Sequence, residues 1–281
     1  MNKHTVIGRL KTASIYDPYF LVDEKRGIRI WFPKSYKSRG VKPYPVLYML
    51  DGQNLFDRST SFAGQEWEID ESITNHEDAH QIRPWVVVGL DNSKDRLSEY
   101  FPRFSEIAIG TLAYRAEITF NFLTKQVIPY VERHYNVQKT RAGRAFGGSS
   151  MGGLMALDAL LKYNSYFSQI YCFSPSFTMY KYGMNEVPPI KEAVGNNSTM
   201  TSVLKKMAAP KIVNSVKLAL GSGGQGDYEK ECLKNVKKMD TYLKANGWDD
   251  KHLSLYLYPE KEHNEDQWNE AFYQAYWWMN S

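Results

Sequence analysis

The eight residues FGGSSMGG at positions 146–153 constrain this chain more than any other segment. A strand-like run ends in them, and an amphipathic helical pattern, LMALDALLKY, follows directly. A chain that turns from strand to helix within so few residues needs small flanks, because the two elements pass close together. Such strand–helix units are the material of a mostly parallel sheet with helices on both faces.

The rest of the sequence repeats that alternation. Strand-like runs occur at 27–32 (GIRIWF), 45–50 (PVLYML), 85–90 (WVVVGL), 144–149, 169–174, 216–220 (VKLAL) and 252–258 (HLSLYLY). WVVVGL is apolar throughout, as a strand buried on both faces should be. Helical patterns fall at 112–134, 151–163, 228–246 and 265–279. In the first, Ile118, Phe122, Val127, Ile128 and Val131 recur at helical spacing. Residues 4–33 read as antiparallel strands feeding the sheet edge. No repeat or linker tract interrupts the chain, so residues 1–281 are expected to form a single α/β domain. The irregular segment 183–200 is expected to pass over the top of the sheet, where a lid would sit.

Composition narrows the function classes. Apolar residues make up 43%, enough for a large core. The net charge of +4 comes from 35 basic and 31 acidic side chains, with no dense basic run, so no nucleic-acid partner is expected. Two cysteines, Cys172 and Cys232, make no disulfide framework and suit a reducing compartment. The N-terminus lacks an apolar signal core, and no run reaches transmembrane length. A soluble, cytoplasmic protein without a membrane partner is the expectation. The 20 Tyr and 7 Trp suit ordinary packing or an aromatic or sugar-binding cleft. Oligomeric state is not legible.

Within the glycine-rich segment, Gly148-Ser149-Ser150-Met151-Gly152 fits G-x-S-x-G in one register. Ser150 then stands at the tip of a strained turn as a candidate nucleophile. The helix starting near Met151 aims its N-terminus at the site, which favours negative charge there. A plain glycine turn would also spell such a string, but the strand before and helix after are what the elbow requires. In α/β-hydrolases an acid and then a histidine follow the serine. His252 opens a strand, at the wrong end of a parallel sheet. His263 follows LSLYLY in the polar loop PEKEHNED, at the end where catalysts gather, and is the expected base. His4, His76, His80 and His134 precede the nucleophile. His76 and His80 have no third ligand, so no metal is expected. The acid should lie past VKLAL, in GSGGQGDYEKE. Asp227 is the first carboxylate there, with Glu229 and Glu231 as alternatives. Asp227 would also serve as an N-cap for the following helix. The oxyanion donors expected are the amide of Met151 and an amide of YMLDGQNLFD, from Gln53 or Asn54.

Seven segments share one order: LDGQNLFD, EWEIDESI, VVVGLDNSKDRLSEYFP, VIPYVERHY, FGGSSMGG, FSPSF and EHNEDQW. On them the chain resembles the putative-esterase family of α/β-hydrolases, which holds esterase D, feruloyl esterases, enterochelin-type siderophore esterases and mycolyltransferases. The resemblance covers about residues 27–270. It implies that Ser150, His263 and the Gln53 and Met151 amides carry over, and that no cofactor is needed. It also implies an acid three residues after a glycine at the strand end. From Gly221 that position is Gly224; from Gly224 it is Asp227. Either the loop is longer here, or the enzyme works as a Ser–His dyad. Trp67 and Arg96 match the family pattern too. Trp67 would line the acyl pocket or pack in the core. Arg96 would orient an anionic substrate group or form a salt bridge, for instance with Glu99.

The expected activity is hydrolysis of a small-molecule carboxylic ester through an acyl-enzyme on Ser150, with a sugar-like or aromatic component in the substrate. Acyl transfer to an alcohol acceptor is the alternative within enzymes. A non-catalytic ligand-binding homologue is the alternative outside them.

Overall fold

The computed structural model describes residues 4–19, 25–80, 82–104, 114–179 and 198–281. Eight strands form one sheet: β1 (Arg9–Tyr16), β2 (Lys25–Phe32), β3 (Val46–Leu50), β4 (Val86–Leu90), β5 (Arg144–Ser149), β6 (Gln169–Phe173), β7 (Lys217–Gly223) and β8 (Leu253–Tyr258). Their order is β1-β2-β4-β3-β5-β6-β7-β8. The first two strands pair antiparallel at the edge, as residues 4–33 suggested, and the strands from β4 to β8 run parallel. This is the α/β architecture expected.

The helices are α1 (Ile69–Asp78), α2 (Arg96–Glu99), α3 (Ala116–Phe122), α4 (Ile128–His134), α5 (Met151–Lys162), α6 (Ser198–Met207), α7 (Asp227–Ala245) and α8 (Glu265–Asn280). The helix expected over 112–134 is interrupted by a π turn at Leu123–Val127. Pro129 sits near the start of α4 and has no amide to continue the regular ladder. Helix α1 carried too few periodic apolar positions to be read from sequence. The excursion expected at 183–200 lies outside the described residues except for 198–200, which open α6.

Alternation along β3 divides its side chains between two cores. Val46, Tyr48 and Leu50 enter the layer that includes α5, α6 and α7; Leu47 and Met49 enter the layer beneath α1 and α8. Each buried aliphatic side chain stabilises the fold by about 1.5–3 kcal/mol relative to exposure. Parallel strands covered on both faces put their carboxyl ends on one edge, and the loops leaving that edge build the site.

Candidate active site

Ser150 follows β5 with φ 58° and ψ −119°, a conformation L-residues rarely adopt. Strain of this kind costs about 1–3 kcal/mol and persists only where neighbours over-determine it. Here the Ser150 amide donates to the Phe173 carbonyl at 3.0 Å, and the Ser150 carbonyl accepts from Gly153 N at 3.1 Å and Ser176 N at 3.2 Å. A Cβ at Gly148 would meet the Gly152 backbone at 3.0 Å, and one at Gly153 would meet the Phe173 carbonyl at 2.7 Å. The elbow therefore closes only with glycine at these points. Met151 opens α5, where first-turn amides have no partner inside the helix.

His263 lies beyond β8. Its Nδ1 is 2.5 Å from Oε2 of Glu229, which leaves Nε2 as the nitrogen available to Ser150. The ring is held edge-on by Tyr228 at 4.8 Å and Trp268 at 5.0 Å. Glu229 is buried in the first turns of α7. Its Oε1 accepts from Ser174 Oγ at 2.5 Å, Ser222 Oγ at 2.8 Å and the Gly223 amide at 2.6 Å. Burial pushes this carboxyl up. The hydrogen bond and charge of His263, with the Ser174 and Ser222 hydroxyls, outweigh it and hold the group below its ordinary value.

Asp227, the first choice from sequence, is corrected by this geometry. It opens α7 with its side chain 70% exposed, 3.9 Å from Lys230 Nζ. Strand β7 continues through Gly223, so the loop before α7 is three residues shorter than the string GSGGQGD suggested. Residues two apart on a helix point about 200° apart. Glu229 therefore faces the sheet edge while Asp227 and Glu231 face away from it. His263 thus has a carboxylate partner, where the dyad alternative gave it none.

A cavity of about 590 Å³ is lined by both Ser150 and His263. Gln53 reaches it from the 3₁₀ turn Gly52–Asn54. Its side-chain carbonyl accepts from the Asn92 amide at 3.3 Å. Trp67 lines the cavity and is also core: it is 2% exposed and packs on Phe173 and Trp268 at 5.9 and 5.5 Å. Arg96 lines it as well, but its partner is Asp51, not Glu99. Two bonds of 2.6 and 2.7 Å join them, while Glu99 binds Arg26 at 3.0 Å. Asp51 sits at φ 57° between β3 and the turn carrying Gln53.

Sequence reasoning missed several members of this constellation. Ser174 and Ser222 bond Glu229, and Ser176 bonds Ser150, with Oγ to Oγ 3.0 Å. FSPSF was noted as a segment, but nothing in it distinguishes working serines from turn serines. Glu265, two residues past His263, lines the cavity and accepts from Asn54 Nδ2 at 3.2 Å. Burial raises its carboxyl above the ordinary value, and the charge of Asp51 adds to this.

Among the described residues, Glu229, Cys232 and His263 bring three ligand atoms within 4.8 Å. They fit a metal poorly. Both Glu229 oxygens are committed to donors, and burial pushes the Cys232 thiol well up, away from the thiolate a metal needs. His76, considered with His80 in the sequence, stacks on Tyr273 at 4.3 Å instead.

A sequence model of the Esterase family, described as "Putative esterase", matches residues 21–279. YbbA of Bacillus subtilis (strain 168), an uncharacterized protein, is 26% identical over 270 residues, covering 92% of this chain and 95% of that one. Apo-salmochelin esterase of Escherichia coli O6:H1 is 29% identical over 167 residues, covering 55% of this chain and 48% of that protein. Among solved structures, a ferulic acid esterase superposes with a TM-score of 0.65 at 18% identity, covering 97% of each chain. That likeness is one of fold.

Proposed function

This chain belongs to the putative-esterase family, and we propose on that premise that it hydrolyses carboxylic esters in two steps through an acyl-enzyme on Ser150. The observation that carries this reading is the line from buried Glu229 through His263 to a cavity shared with a strained serine.

Glu229 accepts a hydrogen bond from Nδ1–H and so fixes the tautomer of His263 with Nε2 free of hydrogen. As Ser150 Oγ attacks the ester carbonyl, Nε2 takes its proton. The imidazolium is stabilised by a carboxylate that four donors keep ionised. The amides of Met151 and Gln53 receive the developing oxyanion at the N-terminus of α5 and the turn after β3. His263 then gives its proton to the leaving alcohol. In the second half it activates water against the acyl-enzyme.

The lining supports a substrate with an aromatic ring and polar substituents. Phe62, Trp67 and Trp268 contribute aromatic side chains to the wall, and Gln53, Asn92 and Glu265 contribute polar ones. The curated relative named an apo-salmochelin esterase is likewise an esterase by name.

Ser150→Ala tests the reading with p-nitrophenyl acetate and an aryl ester. Turnover should fall about a million-fold, as when a catalytic serine is removed. Retention of turnover would refute it.

A further inference from the structure

The nucleophile has a second hydroxyl beside it. Ser176 Oγ lies 3.0 Å from Ser150 Oγ, and the Ser176 amide donates to the Ser150 carbonyl at 3.2 Å. Ser176 is fully buried and does not line the cavity, so it makes no contact with substrate.

Proton counting fixes the direction of this bond. Ser150 Oγ carries one proton, which His263 must receive when the Oγ–carbonyl bond forms. If that proton pointed to Ser176, none would face the base. The productive arrangement has Ser176 donating to Ser150 Oγ. We propose that Ser176 is a positioning residue, a buried hydroxyl that directs the Ser150 proton to His263. Its own proton stays on Ser176 throughout. As Oγ loses its proton the bond becomes charge-assisted and strengthens. It weakens again as the negative charge passes to the carbonyl oxygen. The proposal rests on Ser150 being the nucleophile.

The test compares Ser176→Ala, Ser176→Thr and Ser150→Ala by the p-nitrophenol burst, steady-state kinetics across pH and thermal unfolding. A charge-assisted hydrogen bond predicts that Ser176→Ala slows acylation and kcat about 10- to 100-fold. KM should stay within about twofold, as expected when an interaction strengthens only as the transition state is approached. The pH midpoint of kcat/KM should not move. Ser176→Thr should recover most of the rate. A Ser176→Ala enzyme with kcat within twofold of wild type, beside an inactive Ser150→Ala, would overturn the proposal and leave Ser150 standing. A rate loss with a shifted pH midpoint would also overturn it, since the effect would then pass through His263. Activity in Ser150→Ala would remove the nucleophile itself.

Discussion

Nδ1 of His263 and Oε2 of Glu229 lie 2.5 Å apart, joining the loop after β8 to the first turns of α7 across 34 residues of sequence. Asp227, two residues earlier on the same helix, faces solvent and Lys230. The pair therefore gives a sharp contrast. Glu229→Gln should lower kcat about ten-thousand-fold, because an amide there holds the wrong histidine tautomer. Asp227→Asn should stay within about twofold of wild type. Circular dichroism on both, with p-nitrophenyl acetate hydrolysis, checks it. The reverse pattern would return the acid to Asp227.

The same carboxyl predicts how stability depends on pH. Folding holds Glu229 below its ordinary 4.5. A group depressed in the folded state stabilises above its unfolded pKa, and loses that contribution as pH falls through the folded value. The melting temperature should drop from about pH 5 downward, and Glu229→Gln should flatten that drop. Melting curves between neutral pH and pH 3 measure it; parallel slopes would contradict the linkage.

The two adjacent glycines after the nucleophile are not equivalent. A Cβ at Gly152 would meet Leu50 side-chain atoms at 3.4 Å and beyond, an ordinary contact. One at Gly153 would strike the Phe173 carbonyl at 2.7 Å, and backbone cannot step aside. Gly152→Ala should be neutral or gain up to about 1 kcal/mol from helix propensity. Gly153→Ala should cost about 1–3 kcal/mol through overpacking. Urea denaturation distinguishes them.

Asp51 and Arg96 tie the turn carrying Gln53 to the loop after β4. Asp51 is buried while Arg96 is partly exposed. Removing either should cost less than breaking a fully buried pair but should displace the Gln53 amide. A double-mutant cycle of Asp51→Asn and Arg96→Ala should show coupling of about 1–3 kcal/mol in stability. Both single variants should lower kcat. Additive effects would mean the pair holds nothing in place.

Much of this was legible in the chain itself. Ser150 is announced by its neighbours, since an elbow needs glycine on both sides and the requirement is local. His263 follows from strand order, because the carboxyl ends of parallel strands share one edge. Strand β7 was read too short. Gly221, Ser222 and Gly223 look like loop by propensity, yet Gly221 pairs with Phe173 and Tyr256, and the strand runs on beside β8 to Gly223 and Tyr258. Arg96 was given the wrong partner because Glu99 is near in sequence. Asp51 is near only once β3 and β4 lie side by side.

The architecture, the elbow around Ser150 and the place of His263 at the carboxyl edge were legible in the sequence, because backbone geometry and hydrophobic period are set by residues close together. Tertiary structure alone brought Glu229, Ser174 and Ser222 together beside His263. Asp227 and Glu229 are both carboxylates on one polar stretch, and no local rule separates them. Where β7 ends fixes the helical phase of α7. That phase turns one carboxylate onto Ser174, Ser222 and His263, and leaves the other in water.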